Sequence, residues 1–81
     1  MDNKVRVESG EAKRLKSRCP DCNDSINGTG GLQYWPDLDQ WYVEFYCRRD
    51  DQVVPISTPE LDKKAREIAL RTIGTDQPPR R

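Results

Sequence analysis

The chain has 81 residues, 33% of them hydrophobic and 35% charged, which allows one small domain with a thin core. Its formal net charge is zero, which excludes the uniformly basic surface of a duplex-binding protein. Its apolar runs are too short for a membrane span, so a cytoplasmic location without membrane contact is expected. A short, polar chain of this kind usually needs an extra stabilising element such as a metal ion.

The N-terminal part of the chain is strongly polar. Residues 1–10 are interpreted as a flexible terminus, and the alternation over residues 4–8 leaves a short edge strand as the alternative. The folded domain is predicted to span residues 11–74. Within it, residues 11–17 are expected to form a short strand that carries Leu15 inward.

Two pairs of potential metal ligands have the same spacing. Cys19 and Cys22 flank Pro20, which suits a tight turn, and Cys47 is followed three positions later by Asp50. Three cysteines do not form a closed disulfide framework, and a reduced cytosolic thiol is free to bind metal. Zinc takes four ligands from thiolate, imidazole or carboxylate groups, and the chain has no histidine. The spacing therefore predicts a structural Zn²⁺ site formed by Cys19, Cys22, Cys47 and Asp50.

Other interpretations of these residues remain open. Asp51 is the main rival of Asp50 as fourth ligand, and Asp24 is a weaker one. The cysteines could also be ordinary core residues without a metal. A thioredoxin-like dithiol at Cys19 and Cys22 is a third possibility, but the turn-forming residues there do not favour the helix that such a motif requires.

The middle of the chain predicts a β-hairpin that follows a loop. Residues 26–31 are rich in glycine and asparagine and are expected to be a flexible loop. Residues 32–35 and 41–47 are predicted to be the paired strands. Residues 52–56 are predicted to be a third strand that lies at an edge or stops at Pro55, which cannot donate a hydrogen bond. Alternation along the second strand gives it an apolar face, directed towards the core and the metal, made of Trp41, Val43, Phe45 and Cys47.

The C-terminal part predicts a helix over residues 59–73. Thr58 is suited to the N-cap, Pro59 to the first helical position and Gly74 to the end of the helix. One side of this helix carries an apolar stripe that is expected to pack on the sheet, made of Leu61, Ala65, Ile68, Ala69 and Ile73. Residues 75–81 are expected to be a disordered tail.

The six aromatic residues all lie between residues 34 and 46 and have two interpretations. They could be core and cross-strand packing, or some could form an exposed platform for a partner, made of Tyr34 or Trp35 with Tyr42 and Tyr46. Residues 19–47 contain no Lys or Arg, so phosphates would be repelled there unless the basic termini fold across. A protein partner therefore suits this platform better.

Three segments together resemble a known group of small proteins. The motif Cys19-Pro20-Asp21-Cys22, the strand Trp41-Tyr42-Val43-Glu44 and the helix from Pro59 are similar to zinc-ribbon proteins of phages and mobile elements, in particular the restriction-alleviation family. The resemblance covers residues 15–73. The chain differs in having Asp50 in place of a fourth cysteine and Asn23 in place of a glycine. The resemblance implies interaction with the host nucleic-acid machinery and no catalysis.

These observations predict an α+β zinc ribbon with a three-stranded antiparallel sheet, with room for a fourth strand, and one C-terminal helix. The expected function is that of a non-catalytic binding module, a regulator or inhibitor of phage or mobile-element type that acts on a host protein of nucleic-acid metabolism. The alternative is direct DNA or RNA binding through the basic termini, with Lys13, Arg14, Lys16 and Arg18 near the N-terminus and Lys63, Lys64 and Arg66 near the C-terminus. An enzyme or redox protein is a third class, although no general acid or base is evident. The protein is expected to be a monomer or a small homo-oligomer.

Overall fold

A computed structural model describes residues 4–78 of the chain. Residues 1–3 and 79–81, the outermost parts of the two predicted flexible termini, lie outside the described residues. The described chain has a small α+β fold, as predicted, but its sheet has five strands rather than three. The elements in chain order are β1 (Val5–Glu8), a 3₁₀ helix (Gly10–Arg14), β2 (Lys16–Arg18), β3 (Ser25–Trp35), β4 (Gln40–Cys47), β5 (Gln52–Ile56) and α1 (Pro59–Ile73).

The long strand β3 organises the sheet, in which all pairings of the described strands are antiparallel. β4 lies along one edge of β3 and β5 lies outside β4. The opposite edge of β3 is shared, because β2 pairs with its first part and β1 with its last part. The position of β5 at the end of the strand order confirms the edge position predicted from Pro55.

The two additional strands come from the N-terminal region, where the sequence predicted otherwise. Residues 5–8 form a strand instead of a flexible terminus, since Val7 is buried beside its partner Leu32. Residues 11–17 do not form one strand; the 3₁₀ helix occupies most of this segment, and its N-cap Ser9 accepts a hydrogen bond from the amide of Glu11.

The predicted loop at residues 26–31 is also wrong, because these residues belong to β3. The register with β4 shifts between Gly28 and Leu32, which marks an irregularity in the strand. A Cβ at Gly28 would lie 2.1 Å from the carbonyl oxygen of Ala12, and the Gly28 amide donates to the Leu15 carbonyl at 2.8 Å. This glycine therefore permits close packing against the 3₁₀ helix, where the sequence suggested flexibility.

The core lies between α1 and one face of the sheet. The predicted apolar face of β4 is confirmed, since Trp41, Val43, Phe45 and Cys47 are each 0% exposed. The stripe of α1 that faces them is confirmed at four of its five positions, the buried residues Leu61, Ala65, Ile68 and Ala69. Among the described residues no helix has both the length and the apolar character needed to cross a membrane.

Hydrogen bonds fix both ends of α1. The Thr58 hydroxyl accepts from the Leu61 amide at 3.1 Å, and Gly74 ends the helix in the left-handed conformation with φ of 80°, as the sequence predicted. Residues 75–78 then return to the sheet instead of forming the first part of a disordered tail. The indole of Trp41 donates to the carbonyl of Asp76 at 2.8 Å, and Pro78 is buried.

Candidate metal centre

Two turns at one end of the sheet bring the four predicted ligands together. Cys19 and Cys22 lie in the turn between β2 and β3, whereas Cys47 ends β4 and Asp50 lies in the turn to β5. Their ligand atoms all lie within 4.8 Å of one another. Cys19 and Cys47 are buried, and Cys22 and Asp50 are partly exposed. The arrangement could hold a metal ion, as the spacing of these residues predicted.

The two turns share an unusual backbone feature. The residue directly after the second ligand of each pair has a positive φ, 63° at Asn23 and 51° at Asp51. Asn and Asp tolerate this left-handed conformation better than most residues with a side chain. Asn23 and Asp51 therefore suit these positions, and the two turns share a left-handed residue directly after the second ligand.

Three separations within the group suit a tetrahedral ion. The sulfurs of Cys22 and Cys47 are 3.5 Å apart, and the Asp50 Oδ2 atom lies 3.8 Å from the Cys19 sulfur and 3.7 Å from the Cys47 sulfur. Ligands held at about 2.3 Å from a tetrahedral zinc ion are separated by roughly 3.8 Å. The cysteines are free thiols, and 3.5 Å is far beyond the length of a disulfide bond, about 2.05 Å.

The backbone of the first turn stabilises a thiolate. Hydrogen bonds from the backbone amides of Cys22 and Asp21 lower the pKa of the Cys19 thiol. For Cys22 the Asp24 amide lowers the pKa, but burial and the sulfurs of Cys47 and Cys19 outweigh it and raise the pKa to about 11. The raised pKa of the Cys22 thiol reflects this crowding of sulfurs, and a bound cation removes that conflict.

Both rival aspartates are engaged elsewhere. The carboxylate of Asp51 accepts a hydrogen bond from the hydroxyl of Tyr46, which also raises the pKa of that phenol. The carboxylate of Asp24 pairs with the guanidinium of Arg49 at 3.8 Å. Asp50 is therefore the carboxylate that lies with the three sulfurs.

The structure divides the predicted aromatic platform between the two faces of the sheet. Tyr34 lies on the helix-covered face and is 4% exposed, so its predicted exposure is wrong. Its phenol donates to Asp39 at 2.7 Å. Trp35 and Tyr42 are half-buried on the opposite face, where their rings make an edge contact at 6.4 Å, and Tyr46 is 41% exposed.

The predicted group of basic residues is also divided. Lys13 and Arg14 lie in the 3₁₀ helix, and Arg14 lines a hollow against α1. Lys16 and Arg18 lie in β2 and are directed to the sheet face opposite α1, because they pair with Asn27 and Ser25 of β3.

Sequence reasoning missed a buried polar network on this opposite face. Glu44 is 4% exposed and accepts hydrogen bonds from Arg6 Nε at 3.1 Å, Arg6 Nη2 at 2.8 Å and Gln33 Nε2 at 2.6 Å. Alternation along β4 places Glu44 on the face opposite the apolar one, and this pattern does not indicate what surrounds it. The alternation over residues 4–8 was the signal that could have identified Arg6 as the partner of Glu44. In the structure Arg6 pairs with Gln33 and therefore lies on the same face.

Comparisons with family models, with curated proteins and with solved structures give no match for this chain.

Proposed function

We propose that the protein is a non-catalytic binding module of the zinc-ribbon type, whose fold is stabilised by one structural Zn²⁺ ion. The observation that carries this proposal is the convergence of Cys19, Cys22, Cys47 and Asp50 from two turns of similar backbone conformation. Thiolate ligands favour zinc over magnesium or calcium, which prefer oxygen ligands.

The position of the site supports a structural role. It joins the turn between β2 and β3 to the turn between β4 and β5, beyond the last residue pairs that connect β3 to β4. Four protein ligands complete a tetrahedral zinc ion and leave no position for a substrate. An ion at this place would therefore tie together the two turns at the end of a sheet whose hydrophobic core is small.

Metal analysis tests the proposal directly. The purified chain is expected to contain one zinc ion per molecule. A strong chelator is expected to abolish the helix and strand signals in its circular dichroism spectrum and its protection from protease. Addition of zinc should restore both signals. A fully folded sample that contains no stoichiometric metal would contradict the proposal.

The partner of such a module is the second part of the proposal. A host protein of nucleic-acid metabolism, and a regulatory role of phage or mobile-element type, remain predictions from the sequence. The main sequence argument against nucleic acid was that no Lys or Arg lies within residues 19–47. β1 and β2 place three basic residues, Arg6, Lys16 and Arg18, alongside this region, which favours direct nucleic-acid binding as the second candidate function.

A further inference from the structure

The sheet face opposite α1, here called the open face, has an exposed row of residues at its metal end. Antiparallel partners share a face, so the register aligns one residue from each of four strands. All members of the row are exposed, with Tyr46 at 41% and Val53 at 53%. The row consists of Lys16, Asn27, Tyr46 and Val53.

Positive charge borders this row. Arg18 lies two residues beyond Lys16 on the same face of β2, and Arg48 follows the last residue of β4. The side chains of Lys16 and Arg48 make no hydrogen bond or salt bridge with any residue of the described chain. The Arg18 guanidinium donates to the carbonyl of Asn23 at 3.1 Å and has no counter-ion among the residues that the structure describes.

A shallow hollow lies beside Tyr46 and Arg48. The pairing of β3 with β4 ends at Asn27 and Tyr46, so that Ser25 faces Arg48 across an open space. The hollow has a volume of about 350 Å³, and Arg48 also lines a neighbouring hollow of about 410 Å³. The open space brings a half-exposed aromatic ring, the guanidinium of Arg48 and three polar side chains, Ser25, Asn27 and Thr29, to one surface.

The combination fits single-stranded nucleic acid better than other ligands. Such strands bind to surfaces where bases stack on exposed aromatic rings and phosphates contact Lys or Arg. The aromatic stripe continues along the face through Tyr42 and Trp35, with Lys4 Nζ lying 5.7 Å from the Trp35 ring centroid. The buried Glu44 does not repel a strand here, because Arg6 pairs with it.

We propose that the open face binds single-stranded nucleic acid, with a base stacked on Tyr46 and phosphates held by Lys16, Arg18 and Arg48. This inference rests on the proposed function, because the metal-bound turns fix the relative positions of Arg18 and Arg48. The stacked base accounts for the exposed ring, and the backbone phosphates account for the unpaired cations.

The test measures binding of the zinc-loaded full chain to fluorescent oligo-dT, oligo-U and a DNA duplex at low salt. Both single strands should bind more tightly than the duplex. The double variant Lys16→Gln/Arg48→Gln should weaken single-strand binding by at least about tenfold. It should also reduce the slope of log affinity against log salt by about 1.4, since each phosphate contact contributes roughly 0.7.

A charge-matched control separates a local site from a general charge effect. Lys63 and Lys64 are exposed on α1, so Lys63→Gln/Lys64→Gln makes the same change in net charge away from the open face. It should alter affinity by less than about twofold. Tyr46→Leu keeps an apolar side chain but removes the stacking ring, and should weaken binding about tenfold.

The measurements distinguish failure of the proposed function from failure of this inference. Zinc content and circular dichroism are measured on the same samples, so a folded chain without metal contradicts the proposed function and leaves this inference to be decided by the binding data. A folded, zinc-loaded chain that binds no single strand overturns the inference alone. Equal effects of the two double variants, or tighter binding to an acidic peptide that depends on Lys16 and Arg48, would overturn it as well.

Discussion

Arg6 of β1 forms two hydrogen bonds with Glu44 of β4, although β3 lies between their strands. The side chains meet above Gly31, where a Cβ would lie 2.1 Å from Glu44 Oε1 and 2.8 Å from Arg6 Nη2. The ion pair thus requires a residue without a side chain in the strand beneath it. It ties the N-terminal strand to the centre of the sheet through a buried carboxylate.

Gly31→Ala is predicted to destabilise the protein by about 1–3 kcal/mol, because the added methyl group displaces the Arg6–Glu44 pair in a tightly packed place. Urea unfolding in the presence of zinc measures the change. Gly10→Ala is the matched control, since a Cβ at Gly10 meets no atom within 4 Å, and it should change stability by less than about 0.5 kcal/mol. Equal stability of the two variants would show that the pair does not need this gap.

The same ion pair predicts a dependence of stability on pH. Hydrogen bonds from Arg6 hold the pKa of the Glu44 carboxyl below its usual range and outweigh burial, which acts in the opposite direction. A carboxyl whose pKa is lower in the folded state adds stability above its unfolded pKa, about 4.3, and loses it as pH falls through the folded-state value.

Glu44→Gln is therefore expected to be less stable than the wild type at pH 7, and the gap should shrink below about pH 4.3. Unfolding free energies measured between pH 7 and pH 3 give this gap directly. Release of metal at acid pH affects the wild type and the variant alike, so the difference between them reports the contribution of Glu44. A gap that stays constant over the range would mean that Glu44 titrates alike in both states.

The fourth metal ligand can be identified with two neighbouring substitutions. Asp50→Ala is predicted to lower zinc affinity by at least about tenfold, since even residues that only support a ligand contribute about 10- to 100-fold. Asp51→Ala should have a much smaller effect, because that carboxylate bonds to Tyr46. Competition with a fluorescent chelator measures both affinities. The opposite order would make Asp51 the ligand.

The left-handed residue of the first turn gives a conformational prediction. Asn23 has φ of 63°, so Asn23→Ala should cost about 1–2 kcal/mol, whereas Asn23→Gly should be tolerated or slightly stabilising. Thermal unfolding in excess zinc compares the variants. Asn27→Ala serves as the control, since Asn27 is exposed in β3 and has no positive φ. Equal melting temperatures for the two Asn23 variants would argue against a conformational requirement.

Short-range patterns in the sequence located the ligands, the hairpin and the helix because these features depend on local spacing. The spacing of Cys19 and Cys22 defines a turn, and Thr58 with Pro59 defines a helix start. Alternation also placed Cys47 on the buried face. These relationships need only a few neighbouring residues, so they can be recognised without a tertiary structure.

The errors concern residues whose roles are set by distant partners. Gly28 and Gly31 suggested a loop, but each is a point of close approach to a group far along the chain. Val7 alone offers too little apolar surface to indicate a strand, and its burial depends on Leu32, its partner in β3. Tyr34 was a candidate for the platform because both faces of a strand can carry an aromatic ring, and only the register with Trp41 identifies its face.

The edges of the sheet have a consequence for how copies of the protein meet. A strand edge with regularly spaced free amides and carbonyls can template further strands and lead to aggregation. Along β5 that regular series is interrupted at Pro55, which has no amide hydrogen to offer. The other edge is divided between β2, of three residues, and β1, of four, so neither is a long template. The fold thereby protects a small, polar chain from self-association by strand pairing.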